Sequence, residues 1–311
     1  MQIAFDIALV VLLLAIAGWT IVAREAFSAV VVFMVFGLLL SLAWVRLAAV
    51  DVALTEAAIG SGVTGMLLLN AAAILRPVEA SYARPSVSLR IIAGVFAAAV
   101  AGTLGGLVIM FKGEPVSLAP LVLDHLPASG LDNPVAGVLF VFRSLDTLLE
   151  KVVLVLALIG VWSLAPDKFW GGAPGLRVFG ERQSILVFLA QTLPPIGIIV
   201  AVYMTWVGAS EPGGAFQGGA ILAAMWILVM VAGLRNVPPI SSQTMRLAMM
   251  VGPLCFLVIG LAGIVLAGSF LAYPAGLAKP LIVVIEITLA LSIGITLGLL
   301  AAGAPAKAPA S

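Results

Sequence analysis

The sequence predicts an all-α integral membrane protein with about nine transmembrane helices. Hydrophobic residues make up 63% of the chain and charged residues 9%, whereas an ordinary soluble domain is about 25% charged. The mean hydropathy is +1.26. Apolar runs of roughly 20 residues, enough to cross about 30 Å of hydrocarbon as a helix, recur along the chain. These features predict a protein that folds in a lipid bilayer.

Charged and helix-breaking residues separate the predicted spans. Arg24 and Glu25 follow the first span, and Arg76 and Pro77 follow the third. The spans cover residues 3–22, 27–49, 53–75, 89–111, 135–165, 185–207, 216–234, 246–268 and 280–302. No basic region precedes the first span, so we expect it to be retained in the membrane and not cleaved as a signal peptide.

Arginine and lysine residues predict the orientation of the chain, because they concentrate in cytoplasmic loops. With the N-terminus outside, ten of them fall in inner connections: Arg24, Arg76, Arg84, Arg90, Lys168, Arg177, Arg182, Arg235, Arg246 and Lys307. Three fall in outer connections: Arg46, Lys112 and Lys279. This bias predicts a multi-pass protein of the cell membrane with its N-terminus outside and its C-terminus in the cytoplasm, provided that nine is the correct number of spans.

Composition and motifs argue against several function classes. A net charge of +1 and the lack of an Arg/Lys run argue against a nucleic-acid partner. With one cysteine, Cys255, and one histidine, His125, the sequence has no iron–sulfur pattern and no histidine cluster, and it has no P-loop. We therefore expect no cofactor, no metal centre and no enzyme activity. Only Glu181 and Arg182 hint at a membrane enzyme acting on lipid-linked substrates, and His125 beside Asp124 is predicted to be a surface residue.

Four charged side chains lie inside the fifth predicted span. Arg143, Asp146 and Glu150 are spaced i, i+3 and i+7, which places them on one face of a helix. Lys151 is rotated away from that face. Near the bilayer centre each such charge costs several kcal/mol by most estimates unless it is paired, reaches the interface or lines a wet cavity. The formal sum of the four charges is zero, as pairing would require.

Carboxylates recur in the odd-numbered predicted spans. They are Asp6 in the first, Asp51 and Glu56 in the third, Asp146 and Glu150 in the fifth and Glu286 in the ninth. In the predicted orientation each of these spans enters from the outside, so the acids lie in the outer half of the membrane or near its middle. A relay for protons or sodium ions needs successive oxygen sites of this kind.

Each acid also has a structural interpretation. Asp6 and Asp51 would then be interfacial residues in water, and the deeper acids would form ion pairs or hydrogen bonds. Glu286 has no basic neighbour within a helical turn, so its partner must be another helix, water or its own proton.

The third span is predicted to pack tightly against another helix. Ala57, Ser61 and Gly65 place small residues on one face at intervals of four. Asp51 and Glu56 are five positions apart, about 140° around the helix, so they need not face the same partner.

A glycine-rich segment is predicted between the sixth and seventh spans. The pair Pro194-Pro195 breaks the helical hydrogen-bond ladder of the sixth span, and the sequence GASEPGGAFQGG (residues 208–219) opens the seventh. Irregular backbone at membrane depth is tolerated where it is buried in protein or faces a wet cavity. The backbone amides here are candidates to hold water or a carboxylate. The candidate residues are Pro212, Gly213, Gly214, Gly218 and Gly219.

Several stretches resemble modules of Mrp-type multisubunit cation/proton antiporters. The sequence DVALTEAAIGSG (51–62), after two apolar spans, resembles the MbhD-type domain at the C-terminal end of the large A subunit, which is a separate subunit in membrane-bound hydrogenases. The sequence NPVAGVLFVFRSLDTLLE (133–150) is similar to the MbhE-type domain that follows, with its asparagine, arginine, Asp-Thr and glutamate. The glycine-rich segment is similar to the signature of the antiporter B subunit, and IVVIEITLALSIG (282–294) is similar to the last helix of that subunit.

The resemblance implies a fusion of modules that relatives carry separately. They are an MbhD-like three-helix domain (1–76), an MbhE-like two-helix domain with outer and inner loops (77–182) and a subunit-B-like four-helix domain (183–311). Ala209 stands where the family tends to have histidine, so a proton-relay role of that histidine is absent here or carried by Glu211. Ala215 replaces the third glycine of the signature, and Lys151 beside the family glutamate is a further departure.

The resemblance also implies a function: a non-catalytic membrane subunit of a multisubunit Na⁺/H⁺ antiporter, with other antiporter subunits as partners. The implied path for H⁺ or Na⁺ is lined by ionisable side chains: Asp51, Glu56, Arg143, Asp146, Glu150, Lys151 and Glu286. Arg143 would hold the carboxylates ionised. Lys151 would either cycle a proton or pair with an acid of a neighbouring subunit. The alternatives are the same conduit in a redox-driven, hydrogenase-like complex and a structural spacer whose charges merely pair.

Overall fold

The computed structural model describes residues 2–79, 86–111, 117–176 and 185–307. These residues are helical, apart from loops and one isolated β-bridge between Pro174 and Pro305. Seven helices are long and apolar enough to cross a membrane. The predicted all-α class is therefore confirmed, and the chain is a multi-pass membrane protein.

The helices follow the predicted spans closely. In chain order they are α1 (Gln2–Val22), α2 (Ala26–Arg46), α3 (Val50–Thr55), α4 (Thr64–Glu79), α5 (Val87–Met110), α6 (Ala119–His125), α7 (Pro134–Gly137), α8 (Ser144–Trp162), α9 (Ile185–Val207), α10 (Ala215–Val231), α11 (Gln243–Ala267) and α12 (Ala278–Ala302). A first π segment (Glu56–Val63) joins α3 to α4, and a second π segment (Val138–Phe142) lies between α7 and α8.

Two predicted spans do not form long uninterrupted apolar helices. The seventh is α10, which has 17 residues. The fifth is interrupted at Arg143, whose φ of −133° and ψ of 36° lie outside the helical range, and α8 begins only at the next residue. The number nine therefore stays a prediction.

The interruption corrects one expectation about the charges of the fifth span. Arg143 does not belong to the same continuous helix as Asp146 and Glu150, because the second π segment and the irregular Arg143 backbone separate it from α8. Arg143 and Asp146 nevertheless form an ion pair through their side chains.

The core of the molecule is built around α12. This helix packs against α8, α9, α10 and α11, and most of its residues are buried although its composition is no more apolar than that of the other spans. Glycines allow the close approach: an added side chain at Gly219 of α10 would collide with Ile293, and one at Gly252 of α11 would meet Leu289 and Ser292. In a bilayer, where lipid is as apolar as leucine, such small-residue contacts replace the hydrophobic effect as the force that joins helices.

The first three predicted spans form a second packed unit. α1 packs on α2, and α2 packs on the first π segment and α4. Gly37 of α2 faces Ser61, and Gly65 faces Met34, so closely that a side chain at either glycine would collide. The predicted small-residue face of the third span therefore packs against α2, which confirms the expected close approach. Asp6 and Arg46 tie the outer ends of α1 and α2 through a bidentate ion pair, at 2.7 Å and 2.9 Å.

The remaining helices alternate in direction as the span order predicts. At one end, Lys279 Nζ donates to Asp132 Oδ2 and to Ser210 Oγ, each at 3.0 Å. At the other end, the Ala306 N–H donates to the Ala173 carbonyl and the Ile240 N–H to the Gly172 carbonyl. The orientation of these ends in the membrane stays a prediction, and four of its charged residues, Arg84, Lys112, Arg177 and Arg182, lie outside the described residues together with Glu181.

Two further expectations are resolved by the helices themselves. α9 runs through Pro194 and Pro195 without a break, so the expected interruption at this pair is wrong. The chain turns instead at the glycine-rich segment, directly after α9. His125 is exposed at the end of α6, as predicted.

Candidate functional site

A cavity of about 580 Å³ lies where the two packed units meet. α3 and the first π segment line one side, α7, the second π segment and α8 line the other, and α10 and α12 complete it. Most of its surface is apolar, from residues such as Phe140 and Leu289. Three carboxylate residues reach it: Asp51, Glu150 and Glu286.

The glycine-rich segment holds Asp51 at one edge of the cavity. The Gly213 N–H donates a hydrogen bond of 3.0 Å to Asp51 Oδ1. The next residue, Gly214, has a φ of +121°, a conformation that L-residues with a side chain rarely adopt. The expectation that these amides hold a carboxylate is therefore confirmed for Asp51.

Asn133 fixes the glycine-rich segment to the start of α7. Its side-chain Nδ2 donates to the Gly208 carbonyl at 3.1 Å and to the Glu211 carbonyl at 3.0 Å. Its Oδ1 accepts from the Val135 N–H at 2.9 Å, which caps α7. One buried amide therefore satisfies three backbone groups on two elements.

Glu286 lies deepest of the three acids. It is the ninth residue of α12, roughly 12 Å from the helix start at 1.5 Å per residue, and its exposed fraction is 1%. Its Oε2 is buried and has no hydrogen-bond partner among the described residues. Its Oε1 faces the glycine-rich segment, where an added Cβ would lie 2.8 Å away at Gly208 and 3.1 Å away at Gly214. The glycines thus make room for this carboxyl group.

The charges of α8 point in two directions. Glu150 is exposed and lines the open side of the cavity, whereas Lys151 is buried, with an exposed fraction of 1%. The Lys151 Nζ has no hydrogen-bond partner among the described residues and lies 3.4 Å from the centroid of the Phe216 ring. Arg143 and Asp146 form their ion pair on the exposed surface and do not line the cavity.

Glu56 lies on the opposite side of the third span from the cavity. Its carboxyl group faces α2 and its own π segment, where an added Cβ at Gly37 would lie 2.9 Å from Glu56 Oε1. The expected difference in facing between Asp51 and Glu56 is therefore confirmed. Among the glycine-rich residues, Gly213 and Gly214 line the cavity, whereas Pro212 is exposed, and Gly218 and Gly219 pack against α9 and α12.

Several polar groups at the cavity were not among the predicted site residues. Gln217 Nε2 donates to Thr55 Oγ1 at 3.1 Å and joins α10 to α3. Thr147 Oγ1 donates to the Leu139 carbonyl at 2.6 Å, which satisfies a backbone group where the second π segment departs from α-helical bonding. The signal for Gln217 was present, because an amide in an apolar span needs a partner. No signal in the sequence identified Phe216.

Tyr273 supports the second π segment from the loop between α11 and α12. Its hydroxyl donates to the Phe140 carbonyl at 3.0 Å. Burial raises the pKa of Tyr273 well above its usual value, so the phenol keeps its proton and stays a hydrogen-bond donor.

Comparison with known proteins places these elements among antiporter modules. Residues 11–77 match the MbhD family model, which describes one component of MBH, and residues 185–304 match the model described as a domain related to the MnhB subunit of Na⁺/H⁺ antiporter. The chain is 28% identical over 191 residues to an uncharacterized protein of Methanocaldococcus jannaschii, and the match covers 56% of this chain and 73% of that protein.

Two solved structures share the fold. The chain matches the Mrp complex from a Dietzia species with a TM-score of 0.75 and 25% identity, over 98% of this chain and 35% of the matched chain. It matches the membrane-bound sulfane sulfur reductase, an archaeal respiratory membrane complex, with a TM-score of 0.56 and 22% identity, over 68% of this chain and 96% of that chain. The chain thus spans about a third of the length of the Mrp chain. These findings confirm the resemblance to Mrp-type antiporter subunits and their membrane-bound hydrogenase relatives.

Proposed function

We propose that this chain is a non-catalytic membrane subunit of a multisubunit Na⁺/H⁺ antiporter and that its cavity carries H⁺ or Na⁺. The observation that supports this most directly is the meeting of Asp51, Glu150 and Glu286, from three different predicted spans, at one cavity. The two antiporter-type domain matches and the Mrp likeness support the same class of function. The smaller share of the Mrp chain that is covered is consistent with further subunits supplying the rest of the machinery.

The three acids form a sequence of oxygen sites at different depths. Asp51, the second residue of α3, is held by the Gly213 amide close to the outer connections. Glu286 lies about two turns into α12, since a helix has about 3.6 residues per turn. Glu150 faces the open side of the cavity. A cation would enter beside Asp51 and Glu150 and reach Glu286, and the polar link between Gln217 and Thr55 would order water between them.

Glu286 has the properties required of the deepest site. A buried carboxylate without a partner is strongly disfavoured unless it carries a proton or binds a cation. Its Oε2 is buried without a described partner, and the neighbouring glycine backbone leaves its Oε1 accessible to a small ligand. We infer that Glu286 alternates between a proton and a cation from the cavity.

The other ionisable residues have supporting roles in this proposal. Arg143 keeps Asp146 ionised, and their exposed position suits a contact with a neighbouring subunit. Glu56 faces α2, so it would serve a branch of the path outside the cavity. Lys151 contributes positive charge from the inner face of α8. We also propose the three-module division at residues 1–76, 77–182 and 183–311 and the orientation with the N-terminus outside.

The proposal is tested by neutralising Glu286. Glu286→Gln removes the titratable oxygen but keeps the size of the side chain, so the complex should assemble and Na⁺-dependent proton movement should be lost. The native assembly, purified through a tag on this chain and reconstituted in vesicles, provides the readout through a pH-sensitive dye. Glu25→Gln is the matched control, because Glu25 is exposed between α1 and α2.

The result also separates this function from a structural role. Full transport by the assembled Glu286→Gln complex would favour a spacer whose charges merely pair, as those of Asp6 and Arg46 do. Identification of the subunits in the same purified assembly separates a gradient-driven antiporter from a redox-driven complex.

A further inference from the structure

Lys151 is the most unusual charged residue of the described chain. It is buried between helices of the core, and its Nζ has no hydrogen-bond partner among the described residues although an ammonium group carries three donors. A charged group at membrane depth normally pairs with an opposite charge or a carbonyl. The described ion pairs include none that joins Lys151 to a carboxylate.

The contact that Lys151 does make is aromatic. Its Nζ lies 3.4 Å from the centroid of the Phe216 ring, well within the distance at which a cation is attracted to the face of an aromatic ring. Phe216 is the second residue of α10 and also lines the cavity beside Glu286. The same ring therefore contacts the buried cation and the proposed ion path.

Neighbouring contacts fix the position of this ring. Gln217, the next residue, is bonded to Thr55 of α3, and Gly213, three residues earlier, is bonded to Asp51. The start of α10 is thus tied to the third span on both sides of Phe216. The ring cannot turn away from Lys151 without disturbing these bonds.

The contact leaves the cavity carboxylates unoccupied by the lysine. Glu150 precedes Lys151 on α8 but points to the open side of the cavity, because adjacent residues on a helix differ by about 100°. Glu286 Oε2 has no described partner. An ammonium group free to reach either acid would compete with the transported cation for the same oxygens.

We propose that Phe216 is a specificity-determining residue: its ring holds the Lys151 ammonium and keeps it from occupying the carboxylates through which the transported cation passes. This inference rests on the proposed transport function. It assigns a role to Phe216 that a merely space-filling residue would not have, because the role depends on the electron density of the ring.

Ring electron density can be changed with little change of shape. We would replace Phe216 in the complete complex with mono-, di- and trifluorophenylalanine and measure Na⁺-driven proton movement in vesicles. Each fluorine weakens the negative potential of the ring face, so the Na⁺ concentration for half-maximal rate should rise stepwise, by about three-fold or more over the series. In a Lys151→Met background the same series should have no effect.

A coarser substitution provides an independent readout. Phe216→Leu should raise the half-maximal Na⁺ concentration like the trifluoro variant, and Phe216→Trp, which keeps an aromatic face, should restore it towards the unmodified value. A half-maximal concentration that is unchanged across the fluorinated series, or one that rises equally with Met at position 151, would overturn the role of the ring. An unmodified complex that fails to exchange Na⁺ for H⁺ would instead contradict the proposed function itself.

Discussion

The Gly213 N–H and the Asp51 carboxylate are joined by a hydrogen bond of 3.0 Å across 162 positions of the sequence. This bond connects the glycine-rich segment to the third predicted span, which a family model assigns to a different module. The cavity exists because the modules meet in this way. The glycine backbone supplies a donor at one side and room for Glu286 at the other.

The first prediction concerns that backbone. Gly214→Ala should lower transport severely and reduce stability by about 1–3 kcal/mol, because a side chain at a φ of +121° is strained and the added Cβ would press on Glu286. The measurement is Na⁺-dependent proton movement together with the thermal unfolding midpoint in detergent. Gly160→Ala on α8 is the control, since its Cβ would meet no atom within 4 Å. Equal effects of the two substitutions would contradict the assigned role of Gly214.

The second prediction concerns Asn133. Asn133→Ala should reduce stability by about 1–3 kcal/mol, because it leaves the Gly208 and Glu211 carbonyls without a donor and removes the cap of α7. Limited proteolysis of the glycine-rich segment should accelerate in the same variant. Asn236→Ala, at an exposed position after α10, should change neither property. Protection of the segment in the Asn133 variant would show that other contacts hold it.

The third prediction is a pH dependence at the outer end of α12. The Lys279 ammonium beside Asp132 holds the pKa of that carboxyl below its usual value, and Ser210 lowers it further. A lowered pKa in the folded state means that the pair stabilises the protein above the unfolded pKa and loses this effect as pH falls below about 4. Because both partners are exposed, the effect should be small and should shrink in high salt. Asp132→Asn should remove the salt dependence of the unfolding midpoint above that pH, and an unaltered salt dependence would exclude this pair as its source.

The fourth prediction concerns the orientation of the chain. In a variant with Cys255→Ala, Ser117→Cys should react with a membrane-impermeant maleimide added outside intact cells, and Ser241→Cys should react only after the cells are opened. Ser117 precedes α6 and Ser241 precedes α11, and each is exposed at opposite predicted sides. The reverse pattern of labelling would invert the orientation inferred from the arginines and lysines.

Sequence patterns predicted most of the helices and the small-residue contact between α2 and the third span. They did not predict the two π segments or the irregular Arg143 backbone, because these depend on bonds to other elements, such as those of Thr147 and Tyr273 to backbone carbonyls. The inward position of Lys151 was also missed. The pattern of α8 is apolar on several faces, and in a membrane an apolar face can meet either lipid or protein.

By itself, the sequence determined that this protein crosses the membrane repeatedly, that its carboxylates recur in alternate spans, and that its segments resemble antiporter modules. It could do so because span length, hydropathy and short motifs are local properties of the chain. Only the tertiary structure decided that Asp51, Glu150 and Glu286 share a cavity, whereas Arg143 and Asp146 do not, and that Lys151 faces Phe216. Those outcomes depend on the packing of α10 and α12 against the other helices, where glycines set how closely the backbones approach and thereby which side chains meet.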